Sequence, residues 1–153
     1  MQAPEQIRPK SLADYLDVLS KSVFQSGISW RVVEAKWPGT REALFGFDPE
    51  RLADLTPDDV DQLAADTRLI RNRRKIEATA ANAQTILDLD RDHRGFKNYL
   101  CSFNNFESLT ADLVKRFKFL GEMGAYYFLY VVGEPVPPHE QWMAAQRHGR
   151  GRS

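Results

Sequence analysis

An all-α fold of about seven or eight short helices is what the chain predicts, and three observations carry it. Apolar residues recur at spacings of three and four through most of the 153 residues. The breaks between those runs hold caps, prolines and glycines of the kind that start and stop helices. The only β-rich runs, VVEAK and YFLYVV, both sit in helical phase.

In chain order, MQAPEQIRPK is polar with two prolines and reads as a flexible lead-in over residues 1–10. Ser11 caps a first helix whose apolar set is Leu12, Tyr15, Leu16, Leu19 and Val23, with Asp14 placed for a capping box. Gly27 ends it, and Ser29 caps a second helix carrying Trp30, Val33 and Trp37. Pro38-Gly39 predicts a break there, with Thr40 capping a further turn. Thr56-Pro57-Asp58-Asp59 is a strong helix start, with a cap, a proline at the first position and acids in the first turn. A long helix is expected from about Thr67 to Leu89, burying Ile76, Ala80, Ala83 and Leu87. Thr110 is expected to cap a helix over 111–119, followed by a glycine turn and a helix over 125–132. Together these form a helix-hairpin-helix near residues 111–132. GEPVPP ends that helix, His139–Gln146 forms a short amphipathic one, and residues 147–153 read as a basic disordered tail. One helical domain over 11–146 results.

Composition narrows the function classes. Hydrophobic content of 42% and charged content of 27% are ordinary for a globular chain. Net charge is zero, so an anionic partner needs a local basic patch rather than the whole surface. Charge is segregated along the chain: six acids against one arginine over 48–61, then Arg68, Arg71, Arg73, Arg74 and Lys75 within eight residues. On a continuous helix Arg71, Arg74 and Lys75 share a face. One cysteine, Cys101, allows neither an internal disulfide nor a Cys-rich zinc site. With no signal peptide or membrane-spanning run in the sequence, it fits a reducing cytoplasm.

The stretch FKFLGEMGAYYF holds Gly121 and Gly124 between two helical runs, with Lys115, Arg116 and Lys118 just upstream. Glycine permits positive φ and close approach of a ligand to the backbone. Free N–H groups at the second helix's start, in that positive field, suit a DNA phosphate. A plain helix corner with solvated lysines is the other reading of the same residues. Trp37 and Trp142 read as core. Trp30 stands between core and pocket wall, and Gln25 and Ser29 between pocket lining and helix capping.

Four stretches in order resemble the DNA-3-methyladenine glycosylase I family of helix-hairpin-helix DNA glycosylases. FQSGISWRVVEAKW resembles the family's QAGLSW helix, and FDPERLADLTPDDVDQL its FDP segment. LIRNRRKIEATAANAQTIL resembles IIRNRxKIxAxxxNA, and RFKFLGEMGAYYFLYVVG resembles GFKFVGxxxxYxFMQxxG. The match spans Phe24 to Gly133 at nearly constant spacing.

The resemblance implies a monofunctional enzyme of base-excision repair, working without cofactor in a bacterial cytoplasm or nucleoid. It would bind duplex DNA as a monomer, flip out an alkylated purine and hydrolyse its N-glycosidic bond. It places Trp30, Gln25, Ser29 and Ser22 at the base pocket. It places Lys115, Arg116, Lys118, Phe119, Gly121, Glu122, Met123 and Gly124 on DNA through the hairpin, joined by Arg71, Arg73, Arg74 and Lys75. An alkylated purine is cationic and would gain a cation–π contact with Trp30.

Departures from the pattern also matter. Ser22 stands where the family has a base-recognising glutamate, and Glu34 is the nearest acid on the following helix. Met143 stands at a zinc-ligating cysteine position, with His139 at the histidine position, so no metal site is expected. Ala125 lies near the position of the superfamily's lysine, which speaks against lyase chemistry. Two other readings follow from the departures: a catalytically inactive DNA-binding protein, and a helical partner-binding module. An enzyme keeps a pocket beside Trp30 with an acid in reach, whereas a binder fills it.

Overall fold

The computed structural model describes residues 3–150, with side chains described for 3–147. Among these residues it is all-helical: α1 Leu12–Gln25, α2 Trp30–Ala43, α3 Pro49–Ala53, α4 Pro57–Ala64, α5 Arg73–His93, α6 Phe96–Leu100, α7 Phe106–Arg116, α8 Glu122–Val131 and α9 His139–Arg150. A single 3-10 turn, Phe45–Phe47, joins α2 to α3. Among the described residues no helix is long and apolar enough to cross a membrane.

Local chemistry explains the starts. Ser11 accepts the Asp14 N–H, and Asp48 accepts that of Glu50. Thr56 and Asp59 cap α4 reciprocally, as their spacing predicts. One buried cluster then joins the elements, with Leu16, Phe24, Ile76, Leu113 and Phe128 among its fully enclosed members.

Four boundaries differ from expectation. Pro38 does not break α2, which runs through it to Ala43. The helix is held by its buried side, Val33, Trp37, Thr40 and Ala43, and Thr40 lies inside it rather than at a cap. Gly39 serves a different purpose: a Cβ there would sit 2.5 Å from the Arg68 carbonyl oxygen, so its absence lets the α4–α5 loop pass close. The long helix starts at Arg73, not Thr67, because the Asn72 side chain accepts the Lys75 N–H and Asp66 folds its own loop by bonding Arg68. Its buried face, Ile76, Ala83, Ile86 and Leu89, drifts off the expected stripe before Leu87. The hairpin's first helix begins at Phe106 under an Asn105 cap, and Thr110 is buried within it.

The ends differ as well. Residues 3–10 are held at three points: Gln6 Nε2 and the Ile7 N–H donate to the Tyr130 and Val131 carbonyls, and the Lys10 N–H donates to Asp14. α9 continues to Arg150, so the stretch read as a loose tail is helical there, and residues 151–153 lie outside the described residues.

Candidate active site and nucleic-acid interface

Helix α5 aligns the two parts of the site. Its Lys75 is only 4% exposed, and Nζ donates to the Phe24 carbonyl at 3.0 Å and to the Ser26 carbonyl. Those carbonyls end α1, so the ammonium also meets the negative end of a helix dipole. Two turns along the same face, Asn82 grips the hairpin. Its Oδ1 accepts the Lys118 N–H at 2.8 Å and its Nδ2 donates to the Lys118 carbonyl at 3.1 Å. An i, i+7 pair is roughly 10 Å apart along a helix. One rigid helix thereby spaces the α1–α2 turn from the hairpin.

The hairpin itself departs from the glycine expectation. Its positive φ belongs to Phe119, at 59°, and not to a glycine. Gly121 is the N-cap of α8, with open space where a Cβ would be. Gly124 is a packing glycine: a Cβ would lie 3.0 Å from Leu120 Cδ1 and 3.5 Å from Ser22 Cβ. Its absence lets α8 close onto α1 at Ser22. Phe119 projects from the turn, exposed, while its neighbours Phe117 and Leu120 are buried.

Beside the hairpin lies a cleft made of two joined cavities of about 690 and 620 Å³. Ser22, Gln25, Trp30, Tyr127 and Pro4 line both. The larger holds Asp17, Lys21, Glu34 and Arg41; the smaller is more apolar, with Phe119, Met123 and Met143. Trp30, 43% exposed, tilts against Tyr127 with ring centroids 6.2 Å apart. Burial pushes the Tyr127 hydroxyl pKa up. Asp17 is fixed by two donors, Trp37 Nε1 at 2.8 Å and Arg41 Nε at 2.6 Å. Ser22 is buried and its hydroxyl donates back to the Val18 carbonyl, so it presents little to the cleft.

The residues singled out in the sequence therefore separate. Ser22, Gln25 and Trp30 meet in the cleft. Ser29 does not line it, and although it occupies the N-cap of α2 its side chain makes no capping bond. Lys115 and Lys118 are exposed cations with no ion pair among the described residues, whereas Arg116 is held by Asp112 at 2.7 Å. Gly121, Met123 and Gly124 adjoin the cleft, and Glu122 opens α8 in its exposed first turn.

The second basic cluster does not form the face expected of it. Arg71 precedes α5 and so shares no helix with Arg74. Arg73 pairs with Asp61 and Glu77. Lys75 is buried, and desolvation lowers its pKa. Arg71 and Arg74 remain exposed.

Sequence reasoning missed Asp17, Lys21 and Tyr127. Asp17 and Lys21 left a trace, since i, i+4 and i+5 from Asp17 reach Lys21 and Ser22 on one side of α1. Tyr127 had none, because only folding brings α8 against Trp30.

A model of the methyladenine glycosylase family matches residues 11–116. The chain belongs to that family. It is similar to the DNA-3-methyladenine glycosylase of Haemophilus influenzae, 32% identical over 130 residues that cover 71% of this chain and 70% of that one. DNA-3-methyladenine glycosylase 1 of Escherichia coli is 30% identical over the same shares. The 3-methyladenine DNA glycosylase I of Staphylococcus aureus superposes with a TM-score of 0.75 at 24% identity, covering 84% of this chain and 80% of that one.

The family's zinc does not fit this chain. His139 packs among the rings of Tyr126, Tyr127 and Tyr130, and its buried Nε2 has no hydrogen-bond partner among the described residues. Among the described residues no group of three or more His, Cys, Asp or Glu side chains is placed to hold a metal ion.

Proposed function

We propose that this protein is a monofunctional DNA glycosylase of base-excision repair acting on alkylated purines of the 3-methyladenine type. The names of its bacterial relatives support that class. The observation that carries it is the cleft: an exposed tryptophan face and carboxylates share one cavity beside the hairpin.

The chain works as a monomer on duplex DNA in the bacterial cytoplasm or nucleoid. Lys115, Lys118 and the α8 N–H groups hold phosphate, while exposed Arg71 and Arg74 extend the positive surface. The extruded base stacks on Trp30, flanked by Gln25, and a cationic purine gains from the ring face. Water attacks the sugar carbon as the C1′–N bond breaks. The bonding pair passes to the purine, which departs neutral, and the water proton goes to solvent. Because the base already carries a positive charge, no strong acid is needed. Asp17, held by Trp37 and ion-paired with Arg41, presents a fixed carboxylate whose negative end faces a cationic sugar without rearranging, its charge partly offset by Arg41. No cofactor takes part.

One observation favours the inactive-binder reading: the Ser22 hydroxyl turns away to Val18. A duplex with one alkylated adenine, treated with the protein and then with hot alkali, separates the two. Strand breaks that vanish in Trp30→Ala establish the glycosylase. Absent breaks, with salt-sensitive binding lost in Lys118→Ala, leave a DNA-binding protein.

A further inference from the structure

Two of the charged residues that the mechanism leaves unused sit together beside Trp30. Lys21, on α1, and Glu34, on α2, line the same cavity as Trp30. Lys21 Nζ lies 4.9 Å from the centroid of the Trp30 ring and forms an ion pair with Glu34. The cavity's other cation, Arg41, is committed to Asp17 at 2.6 Å. Among the described residues Lys21 is held only by the ring face and by Glu34, and its long side chain can swing to solvent. Its side chain is 25% exposed and that of Glu34 46%, so separating them strands no buried charge.

A flat aromatic face and a carboxylate at its edge are the two contacts a positively charged purine requires. Here an ammonium already makes both. We infer that Lys21 is an internal stand-in for the cationic base, and that Glu34 is the carboxylate the base inherits on displacing it. Lys21 and Glu34 are then specificity-determining residues. Any base that stacks on Trp30 evicts the ammonium from the ring. A purine with a fixed positive charge regains both contacts, the ring and Glu34. A neutral purine regains only stacking. Ser22 cannot supply this preference, being uncharged with its hydroxyl spent on Val18. This inference rests on the base site at Trp30 proposed above.

Calorimetric titration with two probes of nearly the same shape tests it: 3,9-dimethyladeninium, a permanent cation, and 9-methyladenine, which is neutral. Removing an exposed cation–π competitor and its charge in Lys21→Met should tighten the cation about three- to fivefold, and the neutral base less. Lys21→Arg, which keeps the charge, should match the wild type. Adding Glu34→Gln to Lys21→Met should weaken the cation but not the neutral base, leaving only the cation's gain from the Trp30 ring. Unchanged or weaker cation binding in Lys21→Met overturns the inference. So does equal tightening of both probes with the cation preference undiminished by Glu34→Gln, since that pattern means only added room. Strand-break assays on the same variants separate the two readings. Excision that needs Trp30, with no response to Lys21, sinks this inference alone. Excision and probe binding both indifferent to Trp30→Ala sink the base site and this inference with it.

Discussion

Two stretches of this chain are both strongly basic on paper and opposite in the folded protein. Over 68–75, Arg68 bonds Asp66 and Glu42, Arg73 bonds Asp61 and Glu77, and Lys75 is buried under the end of α1. Over 115–118, Arg116 pairs with Asp112, and Lys115 and Lys118 are exposed beside the hairpin with no ion pair among the described residues. The first stretch spends most of its charge on building the site. The second leaves its two lysines exposed. A charge run therefore says how many cations exist, and partners and burial say how many are available.

The comparison breaks most visibly at Lys75. Lys75→Met leaves the Phe24 and Ser26 carbonyls without a donor, which costs about 2–3 kcal/mol. For a domain of this size that is a fall of roughly 5–10 °C in Tm, read by thermal denaturation. If Lys75 served mainly DNA, the melting temperature would hold and duplex affinity alone would drop.

Asn82→Ala tests the other anchor. It removes both bonds to the Lys118 backbone, and a loss of about 1–2 kcal/mol is expected. Duplex binding should weaken as well, because the hairpin loses its fixed position. Stability falling with binding intact would mean that the hairpin holds its shape without α5.

Lys118→Ala and Lys115→Ala should behave in the reverse way. Neither side chain has an ion pair among the described residues, so stability should stay within about 0.5 kcal/mol of wild type. Each should lower duplex affinity across all sequences and reduce the salt slope by about one, measured by titration at several salt concentrations.

The smallest effect is on acid stability. Hydrogen bonds from Arg68 hold the Asp66 carboxyl below its ordinary 3.8, and those from Thr56 do the same for Asp59. A carboxyl depressed in the folded state stabilises fully above its unfolded pKa, and that gain is lost as pH falls through the folded value. Tm should thus decline from about pH 5 to pH 3 with a slope that Asp66→Asn and Asp59→Asn each reduce. An unchanged slope in Asp66→Asn would show that the Arg68 pairing contributes nothing to folding.

Much of the fold was legible in the sequence because helix signals are local. Ser11, Thr56 with Pro57, and Gly27 mark ends through bonds to residues at most a few positions away. The prediction failed where packing overrode local preference, or where a short polar side chain captured nearby backbone. Pro38 is carried inside α2 because the buried side of that helix packs on both sides of it. The 66–72 segment is a loop because Asp66 and Asn72 bond backbone that a helix would have used. Within the site, Trp30 and Gln25 were readable from a motif. The role of Lys75 was not, since a buried lysine and a solvated one look the same in a charge run.

The sequence by itself determined the helical class, the starts of α1, α2, α4 and α9, the hairpin's place in the chain and the family. These depend on side-chain periodicity, on capping over three or four residues, and on motifs in order. Only the tertiary structure decided which cations are free, which residue adopts positive φ in the hairpin, and that Lys21 rests on Trp30 against Glu34. Each of these is set by distances between atoms far apart in the chain: Lys75 to Phe24, Asn82 to Lys118, Gly124 to Ser22. Packing chooses among side chains that local chemistry leaves equivalent.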